Sequence, residues 1–275
     1  MTIAVAIRTG SALVFAADSK VTTSGVVGLE EDGSPRWVRQ TYDNATKVVH
    51  DRSETVMAMV AGDANIGRIA AVDYISTRDL REWKWAGDQP QQVEALTKDM
   101  MEQKRQFWST TEIPPEKWPG PTVILGVPSS DGIVPRAWSL LLHGSEPKIS
   151  EILTLPWIWL EGAYDEILGL LYGYEPSVLE AIADHFVVEK EFIWEVAEHL
   201  RVLRPIEKLN LSAMPIQDAI ELAVFLAKAQ VQMDRFLPGT PACGGPIDVM
   251  VLRMAPEIGI VSYPGKVLHH PDLLR

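Results

Sequence analysis

Hydrophobic positions alternate from the start of the chain. Ile3, Val5 and Ile7 are separated by smaller residues, Thr9-Gly10-Ser11 carries turn chemistry, and Ala12 to Asp18 resumes the extended pattern. The spacing predicts two strands joined by a tight turn, with Asp18 ending the second. From Ser24 to Asn44 the chain turns polar around Glu30-Glu31-Asp32-Gly33-Ser34-Pro35-Arg36, the pattern of a hairpin or an extended surface loop. Two further strands, Lys47 to His50 and Thr55 to Ala61, flank a turn-like Asp51-Arg52-Ser53-Glu54. The second of them runs into Gly62-Asp63-Ala64-Asn65, where a strand-to-helix junction is expected.

From residue 64 to 82 apolar side chains recur at helical spacing (Ile66, Ile69, Ala70, Tyr74), and a second amphipathic helix is expected from about Pro90 to Phe107 through Val93, Leu96, Met100 and Met101. Strand patterns return at Thr122 to Val127, Ala137 to His143 and Lys148 to Leu155, and predict an antiparallel meander. Helical spacing resumes over 163–202 and again from Ile216 to Phe236, and the last clear strand is Ile247 to Arg253. Runs of strands segregated from runs of helices argue for an α+β fold over a strictly alternating βαβ sheet. With no internal repeat and no linker composition, residues 1–275 are expected to form one domain.

Composition narrows the function classes. A 47% hydrophobic share with 23% charged residues and a mean hydropathy of +0.03 belongs to a globular chain. A formal net charge of −12 argues against nucleic acid or an anionic membrane as the main partner. No basic region precedes an apolar stretch at the amino terminus, so a cytoplasmic location is expected. The greasiest segment, Ile152 to Tyr164, is interrupted by Pro156 and Glu161 and is too short to span a membrane. No cofactor is expected, because Gly62 and Gly67 do not make a dinucleotide fingerprint. No metal is expected either, since the adjacent His269 and His270 lack a third ligand.

Thr2 carries the most informative chemistry. Methionine is normally removed ahead of a small residue, which would leave a hydroxyl and a free α-amine on one Cα. An α-amine with a pKa of roughly 7.7 to 8 can accept the hydroxyl proton near neutral pH, so the pair is a nucleophile with its own base.

Thr2, a short strand pair, Ala16-Ala17-Asp18-Ser19-Lys20, a lysine before an apolar strand (Lys47) and Ala61-Gly62-Asp63-Ala64 occur in an order that resembles the proteasome β-subunit family of amino-terminal-nucleophile (Ntn) hydrolases. The resemblance extends over nearly the whole chain. It includes Gly244-Gly245-Pro246-Ile247-Asp248, which looks like the family's Gly-Gly entry into its closing strand. Because Thr2 directly follows Met1 and two segments, about 24–44 and 176–214, are enlarged, the likeness is to a divergent bacterial homologue.

The resemblance implies a four-layer α-β-β-α sandwich and a role for each matching residue. Thr2 would be the nucleophile, with its α-amine as general base. Lys47 would favour deprotonation of the hydroxyl, and Asp18 would hold Lys47, since a buried lysine needs a carboxylate. Gly62 would offer its N–H to an oxyanion, and Asp234 keeps the family's acidic position at a helix end. Where the family carries supporting serines, this chain has Glu161 beside Gly162 and Cys243 ahead of Gly244. The glutamate would raise the pKa of a neighbouring amine, and the cysteine is the poorer hydrogen-bond donor. The implied activity is a threonine-type endopeptidase acting on polypeptides inside stacked homo-oligomeric rings, with an ATP-dependent unfoldase as partner by analogy. Two other activities are compatible with these residues: a ring scaffold without peptidase activity, and an amidase acting on a small molecule.

Overall fold

The computed structural model describes residues 2–29, 35–82, 89–174, 176–199, 203–239, 241–254 and 258–263. The first two strands, β1 (Ile3–Arg8) and β2 (Ala12–Asp18), are buried along their whole length. A central strand with both faces covered needs apolar residues at every position, which Ile-Ala-Val-Ala-Ile and Ala-Leu-Val-Phe-Ala-Ala supply. The polar region forms an antiparallel hairpin of β3 (Val21–Leu29) and β4 (Pro35–Tyr42), whose register shifts between Val26 and Gly28. Its connecting residues, including most of the Glu30 to Arg36 run, lie outside the described residues.

After β5 (Val48–His50) and β6 (Met57–Gly62) the structure departs from the expected helix over 64–82. A small hairpin, β7 (Asn65–Ile66) with β8 (Ile69–Ala70), intervenes, and only Ala71–Ser76 is helical (α1). The reason is Gly67, which turns at φ +63°, and a Cβ there would press on Gln103 O and Phe107. Helix α2 (Gln89–Trp108) matches its expected span and buries Val93, Leu96, Met100 and Met101.

The meander follows as β9 (Pro121–Pro128), β10 (Pro135–Leu141) and β11 (Lys148–Ile152). It is followed by a strand not read in the sequence, β12 (Ile158–Gly162). The helical stretch is three helices, α3 (Asp165–Tyr172), α4 (Pro176–Phe186) and α5 (Lys190–His199), the first closed by Gly173 at φ +80°. Helix α6 (Ile216–Asp234) and strands β13 (Ile247–Arg253) and β14 (Gly259–Tyr263) complete the order.

Two five-stranded antiparallel sheets result, with strand orders β12-β1-β2-β13-β14 and β11-β10-β9-β6-β5. Three apolar clusters account for their faces. Ala4, Leu13, Phe15, Met57, Met59 and Ile124 meet between the two sheets. Val5, Val14, Ile167, Leu226 and Val251 join β1, β2 and β13 to α3 and α6. Val60, Tyr74, Met100, Val123 and Leu140 join the other sheet to α1 and α2. Among the described residues no helix is long and apolar enough to cross a membrane.

Candidate active site

The end of β2 places Asp18 where four donors converge. Its carboxylate is fully buried, and Oδ1 accepts the Ile3 N–H (3.1 Å) and the Lys47 ammonium (2.7 Å). Oδ2 accepts the N–H groups of Gly244 (2.9 Å) and Lys20 (3.3 Å). Every lone-pair direction of this buried carboxylate is occupied, and the Lys47 side chain, only 9% exposed, is its ion-pair partner. The pairing that the resemblance implies is therefore present across 29 positions of chain.

Thr2 sits one residue ahead of β1 and is 4% exposed. Its carbonyl accepts the Ala163 N–H at 2.7 Å, because β12 continues past its register with β1 (Ile3 opposite Gly162). Gly162 adopts φ +89°, and a Cβ on it would collide with the Thr2 carbonyl oxygen. Sequence reasoning gave Gly162 no task, and the Trp-Leu-Glu-Gly-Ala run holds no signal for one.

Thr2, Lys47 and Gly62 share the wall of a cavity of about 70 Å³ that Lys20, Thr22 and Ala64 also line. Gly62, at the end of β6, has φ +79°. Asp234 and Cys243 reach this centre through the backbone. Asp234 Oδ2 accepts the Cys243 N–H (2.7 Å), which fixes the turn whose next N–H, that of Gly244, donates to Asp18. The Cys243 side chain is itself buried, and burial, followed by the charges of Asp18 and Asp234, pushes its thiol up to about 12. Cys243 is held by its N–H, with the sulfur in the apolar cluster under α6.

Ser19 was also missed as a structural participant. Its hydroxyl donates to the Pro246 carbonyl (2.7 Å) and its N–H to the Gly244 carbonyl (3.1 Å), clamping the Gly-Gly turn to the end of β2. Glu161 lies apart from the cavity at Thr2. It pairs in register with Ala4 and lines a different, larger cavity, and burial raises its carboxyl above the usual range. Among the described residues no cluster of three or more His, Cys, Asp or Glu side chains could hold a metal, and His269 and His270 lie outside them.

Paired antiparallel sheets with helices packed on them, and a buried lysine-carboxylate pair beside Thr2, make a mixed α/β fold of proteasome-like kind. Among solved structures the chain is similar to the Anbu (Gly-1) mutant from Hyphomicrobium sp. strain MC1, a bacterial proteasome-like protein. The match has 15% identity and a TM-score of 0.52 and covers 99% of this chain and 91% of that one. A second Anbu structure from the same organism matches at 14% identity and a TM-score of 0.47, over 98% of this chain and 91% of that one. No family model matches the chain. No curated protein matches it either. At 15% identity the likeness is one of fold.

Proposed function

We propose that the chain is a threonine-type Ntn hydrolase that cleaves polypeptides through Thr2 once Met1 has been removed. The observation that carries this reading is the buried Lys47–Asp18 pair, held at 2.7 Å and bonded through Asp18 to the N–H that follows Thr2. In this mechanism the freed α-amine takes the Thr2 hydroxyl proton as Oγ attacks the scissile carbonyl, while the Lys47 ammonium lowers the cost of the alkoxide. The developing oxyanion is met by the Gly62 N–H. The leaving amine departs with the proton, and water, deprotonated by the same α-amine, releases the acyl group from Oγ.

We also infer the four-layer α-β-β-α arrangement, supported by three apolar clusters that match three interlayer spaces. Self-association into stacked rings fits the same family reading, and polypeptide substrates and an ATP-dependent unfoldase belong to it as proposals. A second reading, a ring scaffold without peptidase activity, is favoured by one observation: about 70 Å³ of free space at Thr2 is far below the 300–1000 Å³ typical of ligand pockets.

The test is intact mass spectrometry of protein from cells with normal methionine aminopeptidase, with and without a peptide epoxyketone. Loss of Met1 and one adduct on Thr2, absent in Lys47→Ala, is the expected result. Retained Met1, or a free Thr2 that no electrophile labels, selects the scaffold.

A further inference from the structure

A large cavity among the described residues lies away from Thr2, between the outer strands of the two sheets and the helices over them. Its volume is about 1130 Å³, and it shares no lining residue with the cavity at Thr2. Both β11 and β12 line it, and each is the terminal strand of its sheet, with no strand on its other side among the described residues. Such edges present unpaired N–H and C=O groups, which folded proteins ordinarily cover or pair.

The walls are aromatic: Trp157 and Trp159 come from the β12 segment, Tyr172 and Tyr174 from the end of α3 and the residues after it, and Trp194 from α5. One cation already occupies this lining. The Arg204 guanidinium lies 5.4 Å from the centre of the Tyr172 ring and 5.7 Å from that of Tyr174, and it donates to Glu198 (3.0 Å) and to the Ala197 carbonyl (3.1 Å). Rings with a carboxylate behind them are the arrangement that recognises cations.

Carboxylates outnumber cations in the lining, with Glu151, Glu161, Glu198 and Glu207 against Arg204. The α4–α5 hairpin above it carries six carboxylates over 176–199 against one lysine, Lys190, which pairs with Glu180 at 3.4 Å. That hairpin also ends in an exposed apolar tip. Val187 is 90% exposed and held at φ +55°, a conformation that is strained for a β-branched residue and persists at sites of use more often than elsewhere.

We propose that this cavity is an exosite for an extended peptide bearing lysine or arginine side chains, which adds as a strand to the free edge of β12 and places its cationic side chains among the aromatic rings and carboxylates. Main-chain bonds to the edge would give affinity independent of sequence, and the lining would select positive over negative side chains. A volume of about 1130 Å³ exceeds the 300–1000 Å³ of pockets for drug-sized ligands, as a segment of several residues requires. The proposal does not rest on Thr2 acting as a nucleophile, and a scaffold with this exosite would bind the same peptides.

The test uses the full chain with Thr2→Ala, so that no probe is cleaved. It is titrated with a fluorescein-labelled eight-residue peptide alternating lysine and valine, and with its glutamate-valine counterpart. The lysine peptide is expected to bind at least about tenfold more tightly, to slow hydrogen exchange at residues 158–162, and to lose about tenfold in affinity in Trp194→Ala. Trp194 is 39% exposed, and circular dichroism of the variant checks that it is folded under the conditions of the titration. Equal binding of both peptides, protection elsewhere on the acidic surface, or indifference to Trp194→Ala overturns the proposal. Protection of 158–162 that rises with protein concentration in the absence of peptide overturns it in favour of a second copy of this chain. Epoxyketone labelling of wild type reports on Thr2 separately, so failure of either idea leaves the other standing.

Discussion

Gly162 backs directly onto Thr2: the Ala163 N–H takes the Thr2 carbonyl at 2.7 Å, and no side chain fits on Gly162 because its Cβ would overlap that carbonyl oxygen. The proposed nucleophile is thus positioned from behind by a strand that belongs to a distant part of the chain.

Gly162→Ala is therefore expected to disturb Thr2 more than its size suggests. A positive φ of +89° together with the overlap should cost about 2 kcal/mol or more, about 4–8 °C in Tm. Thermal unfolding checks the stability, and epoxyketone labelling checks the site, where labelling should fall at least tenfold at a temperature well below the variant's Tm.

The Asp18–Lys47 pair should behave as a unit. Lys47→Met leaves the Asp18 anion buried with only its three backbone donors, and Asp18→Asn leaves the Lys47 ammonium without its counter-ion, each at about 3–5 kcal/mol. The double variant should be less destabilised than the sum of the singles, by more than 1 kcal/mol. Urea denaturation of the four proteins measures this, and strict additivity would show that the pair is not coupled.

Cys243 is expected to be inert in the native state. A thiol raised to about 12 and 1% exposed holds almost no accessible thiolate at pH 8. Iodoacetamide should leave the native protein unmodified under conditions where the urea-unfolded chain reacts fully. Rapid native labelling would mean that the turn at Gly244 opens.

Glu161 gives a pH dependence with a definite sign. Burial raises its folded pKa above the ordinary 4.5, so between those two values the folded chain holds a proton that the unfolded chain has released. Its contribution to stability is present below pH 4.5 and is lost as pH rises through the elevated folded value. Glu161→Gln should accordingly gain on wild type as pH climbs from 4 to 7, measured as the difference between their urea midpoints. A difference that stays flat would mean that the carboxyl titrates normally.

Much of the fold could be read from apolar runs, alternation and helical spacing, since β1, β2, β5, β6, β9, β10 and β13 are apolar or alternating runs and α2 and α6 carry helical periods. What escaped was set by tertiary context. β12 escaped because its apolar run, Trp157-Ile158-Trp159-Leu160, follows the β11 run across Pro156 with no turn cluster between them to mark it off, and it is defined only by pairing with β1. The short α1 was masked by apolar residues at helical spacing that fold instead as the β7–β8 turn at Gly67. At the site, Asp18 and Lys47 were legible through the order of motifs that resembles the proteasome β-subunit family, since a lone aspartate at a strand end or a lone lysine before a strand carries no such signal. Glu161 was expected near Thr2 because it stands where the resembled family carries a supporting serine, yet it lines another cavity. The tasks of Gly162 and Ser19 are local contacts with distant backbone groups, which leave no mark on composition.

The carboxylate of Asp18 has a consequence in time. One of its donors, Gly244, stands 226 residues further along the chain. At about 5–20 residues per second, a ribosome takes on the order of 10–45 s to bridge that gap. Throughout that interval Asp18 lacks the Gly244 N–H, so the shell around the Lys47–Asp18 pair closes only after synthesis has passed Gly244. The surroundings of Thr2, the proposed nucleophile, are thus completed by a segment made long after Thr2 itself.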